Sequence, residues 1–89
     1  MVELPVPRSK IDGRLSKIEG QVRGIRNMVK QERDCTDILI QLSAVRSALS
    51  SVAAEVIQNY CTICLEKKGS TDIGKDLARA ASIWVGGRT

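Results

Sequence analysis

Two long stretches of the chain carry apolar residues in steps of three and four, and this spacing strongly restricts the fold. In residues 9–30 the apolar positions are Ile11, Leu15, Ile18, Val22, Ile25 and Val29. In the second stretch the corresponding positions are Cys35, Ile38, Leu42, Val45, Leu49, Val52 and Val56. Such a seam is typical of a helix packed in a bundle or a coiled coil. Since no segment alternates as strands do, we expect an all-α fold with three helices per chain.

The helix boundaries follow from residues that start or stop helices. Residues 1–8 contain two prolines and are expected to form a flexible arm ahead of a single helical domain, residues 9–89. Ser9 is the expected N-cap of the first helix, and Gly69 is the expected left-handed cap of the second. The three helices are therefore predicted over residues 9–30, 36–66 and 72–85.

The second predicted helix is long for a chain of 89 residues. At a rise of about 1.5 Å per residue it spans about 45 Å, so it would extend beyond a bundle formed by one copy. It would then leave an apolar stripe uncovered. A monomer of this size also buries only about 60–65% of its surface on folding. We therefore expect a homodimer or homotetramer, and we expect Gly20 and Gly24 to permit close approach of another helix.

Positive charge is concentrated in the first helix. Between Arg8 and Arg33 the chain has eight basic and three acidic residues, a net charge of +5, whereas the whole chain carries +4. Basic faces bind phosphates, and a chain with two aromatic residues lacks a stacking platform for unpaired bases, so duplex DNA is the expected partner. The alternative is that these charges only solvate an amphipathic helix. By charge and position, the expected DNA contacts are Lys10, Lys17, Arg23 and Arg46.

The chain contains no histidine. The usual general base, the Ser-His and Cys-His couples and imidazole metal ligands are therefore absent, and we do not expect an enzyme. A redox enzyme that uses Cys61 and Cys64 is an alternative, but such a motif normally lies in a βαβ context. The N-terminus lacks the apolar region of a signal peptide, and no apolar run reaches about 18 residues. We expect a cytoplasmic protein with reduced thiols and no membrane association.

The spacing of the cysteines indicates how they can act. Cys35 opens the second helix, where free backbone N–H groups and the helix dipole favour a thiolate. Cys64 lies 29 residues later on the same helix, about 43 Å away, so these thiols cannot meet within one chain. They can meet in an antiparallel dimer whose two-fold axis passes near Leu49 and Ser50. The alternative is that Cys35 only fills a seam position.

Four blocks of residues carry a family resemblance. They are Arg14-Leu15, residues 18–25 (IEGQVRGI), residues 35–49 (CTDILIQLSAVRSAL) and Cys64. Together they resemble the CsoR/RcnR/FrmR family of bacterial transcriptional repressors over residues 9–85. The resemblance implies an all-helical dimer, usually a dimer of dimers, that binds operator DNA without a helix-turn-helix and through Arg14. It also implies that DNA is released when an effector engages cysteines across the dimer interface.

The resemblance also bears on the effector. Copper-sensing members use a later His and a later Cys, four residues apart, and in this chain Tyr60 occupies the His position. This departure argues against copper. It argues strongly against nickel and cobalt, because their sensors in this family depend on histidine ligands. Val2 does not supply the N-terminal proline amine of the formaldehyde-sensing branch. The pattern is most similar to the persulfide-sensing CstR branch, which implies that reactive sulfur bridges Cys35 of one chain with Cys64 of the other, without a cofactor. Cys61 is then an accessory thiol. The alternative is a Cu(I) sensor with Cys35, Cys61 and Cys64 as thiolate ligands.

Overall fold

Apart from short connections, the described part of the chain is helical. A computed structural model describes the backbone of residues 4–68 and 73–86 and the side chains of residues 4–62 and 74–86. These residues form three helices, α1 (Arg8–Lys30), α2 (Cys35–Lys68) and α3 (Ile73–Gly86). The prediction of an all-α fold with three helices per chain is confirmed.

The first two helices differ slightly from their predicted bounds. Helix α1 begins at Arg8, so Ser9 lies inside the helix and is not its N-cap. Pro7 directly precedes the helix, and its fixed φ and missing N–H suit a helix start. Helix α2 continues to Lys68, two residues beyond its predicted end. The predicted cap Gly69 lies outside the described residues.

Helix α3 is the shortest of the three. It runs from Ile73 to Gly86, close to its predicted bounds. Asp72, where the sequence predicts its start, lies outside the described residues. Near the end of the helix, the side chains of Ile83 and Trp84 are exposed.

A tight turn connects α1 to α2. The N–H of Glu32 donates to the carbonyl of Val29 at 3.1 Å, and the N–H of Arg33 donates to the carbonyl of Met28 at 3.0 Å. These two bonds pair carbonyls that the end of a helix leaves free. Glu32 has φ = 56°, the left-handed conformation that glycine usually adopts at this position. The turn reverses the chain over a short connection, so the two helices pack as a hairpin.

Residues 8–52 form one compact unit, built from α1 and the first half of α2. Its apolar core residues recur every seven positions along each helix. They are Ile11, Ile18 and Ile25 on α1 and Ile38, Val45 and Val52 on α2. A spacing of seven keeps these side chains on the side of each helix that faces its neighbour. The hairpin therefore buries one of the two apolar positions in each heptad.

The second apolar position in each heptad stays exposed, and we call this set the exposed seam. Its members are Leu15, Val22 and Val29 on α1 and Leu42, Leu49 and Val56 on α2, with exposed fractions between 37% and 58%. Taking a fully exposed side chain of this type to full burial contributes about 1.5–3 kcal/mol, and covering a partly exposed one contributes a share of that. These are therefore positions that a partner would cover favourably.

The other compact unit combines the N-terminal arm with the chain from residue 53 onward. The sequence predicts a flexible arm over residues 1–8. Val6, however, is buried and makes two hydrogen bonds with the side chain of Asn59 in α2. The arm is anchored at this point, because the Asn59 amide satisfies both backbone polar groups of Val6.

One segment of α2, residues 35–62, is long and apolar enough to cross a membrane by length and composition. The core helices of soluble proteins meet the same criterion. This segment also contains Arg46 and Glu55 and carries the seam by which α2 packs against α1 in the hairpin. The seam accounts for its apolar character, so the segment is weak grounds for a membrane span.

Candidate effector-sensing thiols and nucleic-acid interface

Cys35 is the first residue of α2, and its side chain is exposed. The preceding residue, Asp34, caps the helix. Its Oδ2 accepts a hydrogen bond from the N–H of Thr36 at 3.1 Å, and its carbonyl accepts one from the N–H of Ile38 at 3.1 Å. The cap holds Cys35 at the positive end of the helix dipole, open to solvent.

Sequence reasoning missed the role of Asp34. An Asp directly before an apolar-periodic segment is a recognised start signal for a helix, and it could have identified the cap. The consequence concerns Cys35. One of the helix N–H groups expected to favour its thiolate instead donates to the Asp34 carboxylate. The local environment of the thiol is therefore set by both the helix end and the capping carboxylate.

The other two cysteines lie on the later part of α2. Cys61 is half-buried. The backbone of Cys64 belongs to α2, but its side chain lies outside the described residues. Since Cys35 belongs to the hairpin and Cys61 to the other unit, the candidate thiols are distributed along one long helix.

Cysteine sulfur is a soft donor that this chain offers a metal ion, and imidazole nitrogen is absent. The sequence offers three cysteines and no histidine. Thiolates are soft ligands that suit Cu(I), whereas imidazole-based sites for nickel lack their ligand here. Within the described residues, no group of three or more Cys, Asp or Glu side chains lies together in a geometry that could hold a metal ion. The donor set fits Cu(I) by its chemistry, provided that thiols from more than one chain contribute.

The predicted DNA contacts on α1 are all exposed, but they do not share one face. Lys10, Arg14 and Lys17 follow each other at steps of four and three, so they form one row. Arg14 and Lys17 line a shallow groove beside the buried Ile18. Arg23 lies nine positions after Arg14, which places it about 180° away around the helix.

Arg23 thus belongs to a second row of basic residues on the opposite flank of the α1 core. Its neighbours in this row are Arg26 and Lys30, which are also exposed. Arg46, the predicted contact on α2, is exposed as well. The structure therefore divides the predicted DNA contacts between two flanks of α1 and one face of α2.

Three glycines lie on the outer face of α1, between the two basic rows. Gly13, Gly20 and Gly24 have open space where a Cβ would be, with no heavy atom within 4 Å. The expectation that Gly20 and Gly24 permit close helix approach is therefore wrong within one chain, because α2 packs against the opposite, apolar side of α1. Their small size instead gives α1 a smooth outer face.

Comparisons with known proteins agree with this architecture. Residues 8–83 match the model of a family described as metal-sensitive transcriptional repressors. The copper-sensing transcriptional repressor CsoR of Bacillus subtilis is 47% identical over 58 residues. The copper-sensing transcriptional repressor RicR of Mycobacterium tuberculosis is 44% identical over 54 residues. The solved structure of the nickel-responsive transcriptional regulator InrS superposes with a TM-score of 0.70 at 34% identity, covering 92% of this chain and 93% of that one.

The matches to the curated relatives are partial. They cover 65% of this chain and 57% of the Bacillus protein, and 61% of this chain and 56% of the Mycobacterium protein. The chain thus spans somewhat more than half the length of these relatives. The family model, by contrast, matches from the start of α1 into α3, and the InrS structure covers 92% of this chain.

Proposed function

Because this chain belongs to the metal-sensitive transcriptional repressor family, we propose that it is a repressor that binds operator DNA and releases it when its cysteine thiols capture an effector. It acts in the cytoplasm, where bacterial operators are found. Family members are named as repressors, which agrees with the prediction that the chain is a regulatory protein and not an enzyme. Duplex DNA is its macromolecular partner, with Arg14, Lys10, Lys17, Arg23 and Arg46 as the proposed contacts.

The effector that the chemistry and the relatives favour is Cu(I). Two relatives above 40% identity are named as copper-sensing repressors. The observation that carries the proposal is the donor set of three thiols and no histidine, which suits a soft monovalent ion. Cys35 and Cys64 are the proposed principal ligands, and Cys61 is the third. Bound Cu(I) would link the thiolates and so fix the relative position of the segments that carry them.

The proposed site combines two protomers. The exposed members of the seam on α2 are Leu42, Leu49 and Val56, which are symmetric about Leu49. The midpoint between Cys35 and Cys64 falls within one residue of that centre, between Leu49 and Ser50. Pairing two copies of α2 antiparallel about this point would cover the exposed seam positions on α2 and bring Cys35 of one protomer to Cys64 of its partner. A dimer, or a dimer of dimers, is the assembly that this pairing supports.

Reactive sulfur is the second candidate effector, and Tyr60 is the observation that favours it. This position holds the histidine ligand in the copper-sensing pattern, and a tyrosine does not replace that ligand. In this alternative, the Cys35 thiolate attacks the terminal sulfur of a polysulfide and releases the shortened polysulfide, which leaves a persulfide on Cys35. The Cys64 thiolate of the partner then attacks that persulfide and expels hydrosulfide, so the two thiols are oxidised to a disulfide while the transferred sulfur is reduced.

One experiment separates the two effectors. The reduced protein is bound, without oxygen, to a fluorescent duplex taken from the DNA upstream of its own gene, and anisotropy is followed while Cu(I) or inorganic tetrasulfide is added. We expect release at about one Cu(I) per protomer, with the response lost in Cys35→Ala and Cys64→Ala and weakened in Cys61→Ala. Release by tetrasulfide alone, with covalent dimers in non-reducing mass spectrometry, would replace copper with reactive sulfur. No release by either effector would overturn both.

A further inference from the structure

Asn59 on α2 is the one buried polar residue among the described residues, with 7% of its surface exposed. Both polar atoms of its side-chain amide form hydrogen bonds with the backbone of a single residue, Val6. The Oδ1 accepts a hydrogen bond from the N–H of Val6 at 3.1 Å, and the Nδ2 donates to the carbonyl of Val6 at 2.9 Å. Val6 is also only 7% exposed. A carboxylate cannot donate and a leucine can do neither, so this contact is specific for a side-chain amide.

The residues around Val6 prepare the arm for this contact. Pro5 and Pro7 have no N–H, so Val6 supplies the only backbone donor of the three residues, and that donor is used. Pro7 also restricts Val6 to extended backbone conformations. The arm therefore loses little conformational freedom when it docks. The next residue, Arg8, is the first residue of α1.

We propose that Asn59 is a positioning residue for DNA binding: it holds the arm at Val6, two residues before the basic helix α1 begins. The inference rests on the proposed repressor function. Only Pro7 separates the anchored residue from α1, the helix that carries Lys10 and Arg14. The connection between the anchor and this helix therefore has little conformational freedom. The anchor does not require the effector. Asn59 lies two positions before Cys61, about 200° away around α2, so its bonds do not involve that thiol.

The first test replaces the amide with a carboxyl group, using Asn59→Asp. When protonated, Asp can both donate and accept, so it reproduces the anchor; when ionised, it has no donor for the Val6 carbonyl. Burial raises the pKa of such a carboxyl group, so the anchor is present at low pH and lost as the pH rises through that raised value. The matched control is Gln58→Glu, which makes the same charge change at an exposed neighbour.

Two readouts are followed between about pH 5 and pH 8, a range that brackets the raised pKa values of buried carboxyl groups. One is the amide NMR signal of Val6, and the other is affinity for the upstream duplex. In Asn59→Asp we expect the Val6 signal to lose its protection with rising pH and operator affinity to fall about tenfold relative to Gln58→Glu. Wild type and control should keep the Val6 signal throughout.

A second variant approaches the contact from the arm. Val6→Pro removes the donor to Asn59 while leaving α2 unchanged, and it should weaken operator binding in the same direction even if Asn59→Asp does not fold. Loss of Val6 protection with operator affinity equal to the Gln58→Glu control would overturn the positioning role. Val6 protection that persists in Asn59→Asp at every pH would overturn the anchor itself. If wild-type protein does not bind the duplex, the repressor proposal fails, while the amide signal still reports whether the anchor forms.

Discussion

Each of the two compact units of this chain is stabilised internally, and the kind of contact differs between them. The hairpin of residues 8–52 closes through apolar side chains spaced seven residues apart, and it exposes a second apolar set and most of the basic residues. In the unit that contains the arm, a buried amide bonds to a proline-flanked segment 53 positions away. The comparison shows that a repeated apolar pattern builds the scaffold, whereas a single polar contact fixes the position of a segment.

The largest effect is expected at the part of the exposed seam that lies in the hairpin. Leu49→Glu places a charge at the proposed two-fold axis, where each residue meets its own copy. We expect the dimer dissociation constant to rise at least a hundredfold, equivalent to about 2.8 kcal/mol. Analytical ultracentrifugation over a concentration series measures this. Ile40→Glu is the control, since Ile40 is exposed but lies outside the seam.

Val56→Glu sharpens the comparison between the two units. Val56 belongs to the same exposed seam but lies in the second unit, one heptad from Leu49. Since it would not face its own copy, its effect on dimerisation should be smaller than that of Leu49→Glu. If Val56→Glu were the more disruptive variant, or if Leu49→Glu left the dimer intact, the proposed axis would be in the wrong place.

A smaller effect is expected from the basic rows of α1. Arg14→Ala removes a charge from the row that includes Lys10 and Lys17, and we expect operator affinity to fall about tenfold, or about 1.4 kcal/mol, with a shallower salt dependence. Arg23→Ala tests the opposite flank of the same helix. Titrations at several salt concentrations measure both variants. Unchanged affinity in Arg14→Ala would remove that residue from the DNA interface.

The cap of α2 gives the next effect in size. Asp34→Ala removes the hydrogen bond to the N–H of Thr36 and should lower the free energy of unfolding by about 1 kcal/mol. The same change frees that N–H for the Cys35 thiolate, so alkylation of Cys35 should become faster. Urea denaturation and iodoacetamide labelling measure the two effects. Asp37→Ala is the control, because Asp37 lies in the same first turn; equal labelling rates in both variants would contradict the role of the cap.

The smallest effect concerns the outer face of α1. Gly24→Ala should stabilise the hairpin by about 0.5–1 kcal/mol, because alanine favours the helix and no heavy atom lies within 4 Å of the new Cβ. Thermal denaturation measures this gain. If operator affinity falls while stability rises, the glycine face contacts DNA closely; a loss of stability would instead show that another part of the assembly packs there.

The helices could be predicted from the sequence because their apolar residues repeat regularly. The periodicity of Ile18, Ile25, Val45 and Val52 indicates both the helices and the side that packs. It does not distinguish the apolar set buried within the hairpin from the set left for a partner. That division depends on how the turn at Glu32 orients the two helices.

The anchor could not be predicted, because it joins residues far apart in the chain. Two prolines around Val6 suggest an irregular arm, and the burial of Val6 depends on a distant amide. The signal that could have indicated it is Asn59, a polar residue within a largely apolar part of α2. The position of Cys35 at the start of α2 could be predicted from the sequence. The cap of that helix could be predicted only from Asp34, the residue before Cys35.

In the proposed sensor, thiols from two protomers bind the effector together. Subunit mixing tests this most directly. Cys35→Ala and Cys64→Ala proteins each lack every intact Cys35–Cys64 pair, but a mixed dimer regains one pair. We therefore expect the mixture, exchanged under reducing conditions, to recover binding of one Cu(I) per mixed dimer in a titration against a chromophoric Cu(I) chelator. A mixture that binds no more Cu(I) than its two parent proteins would contradict a site shared between protomers.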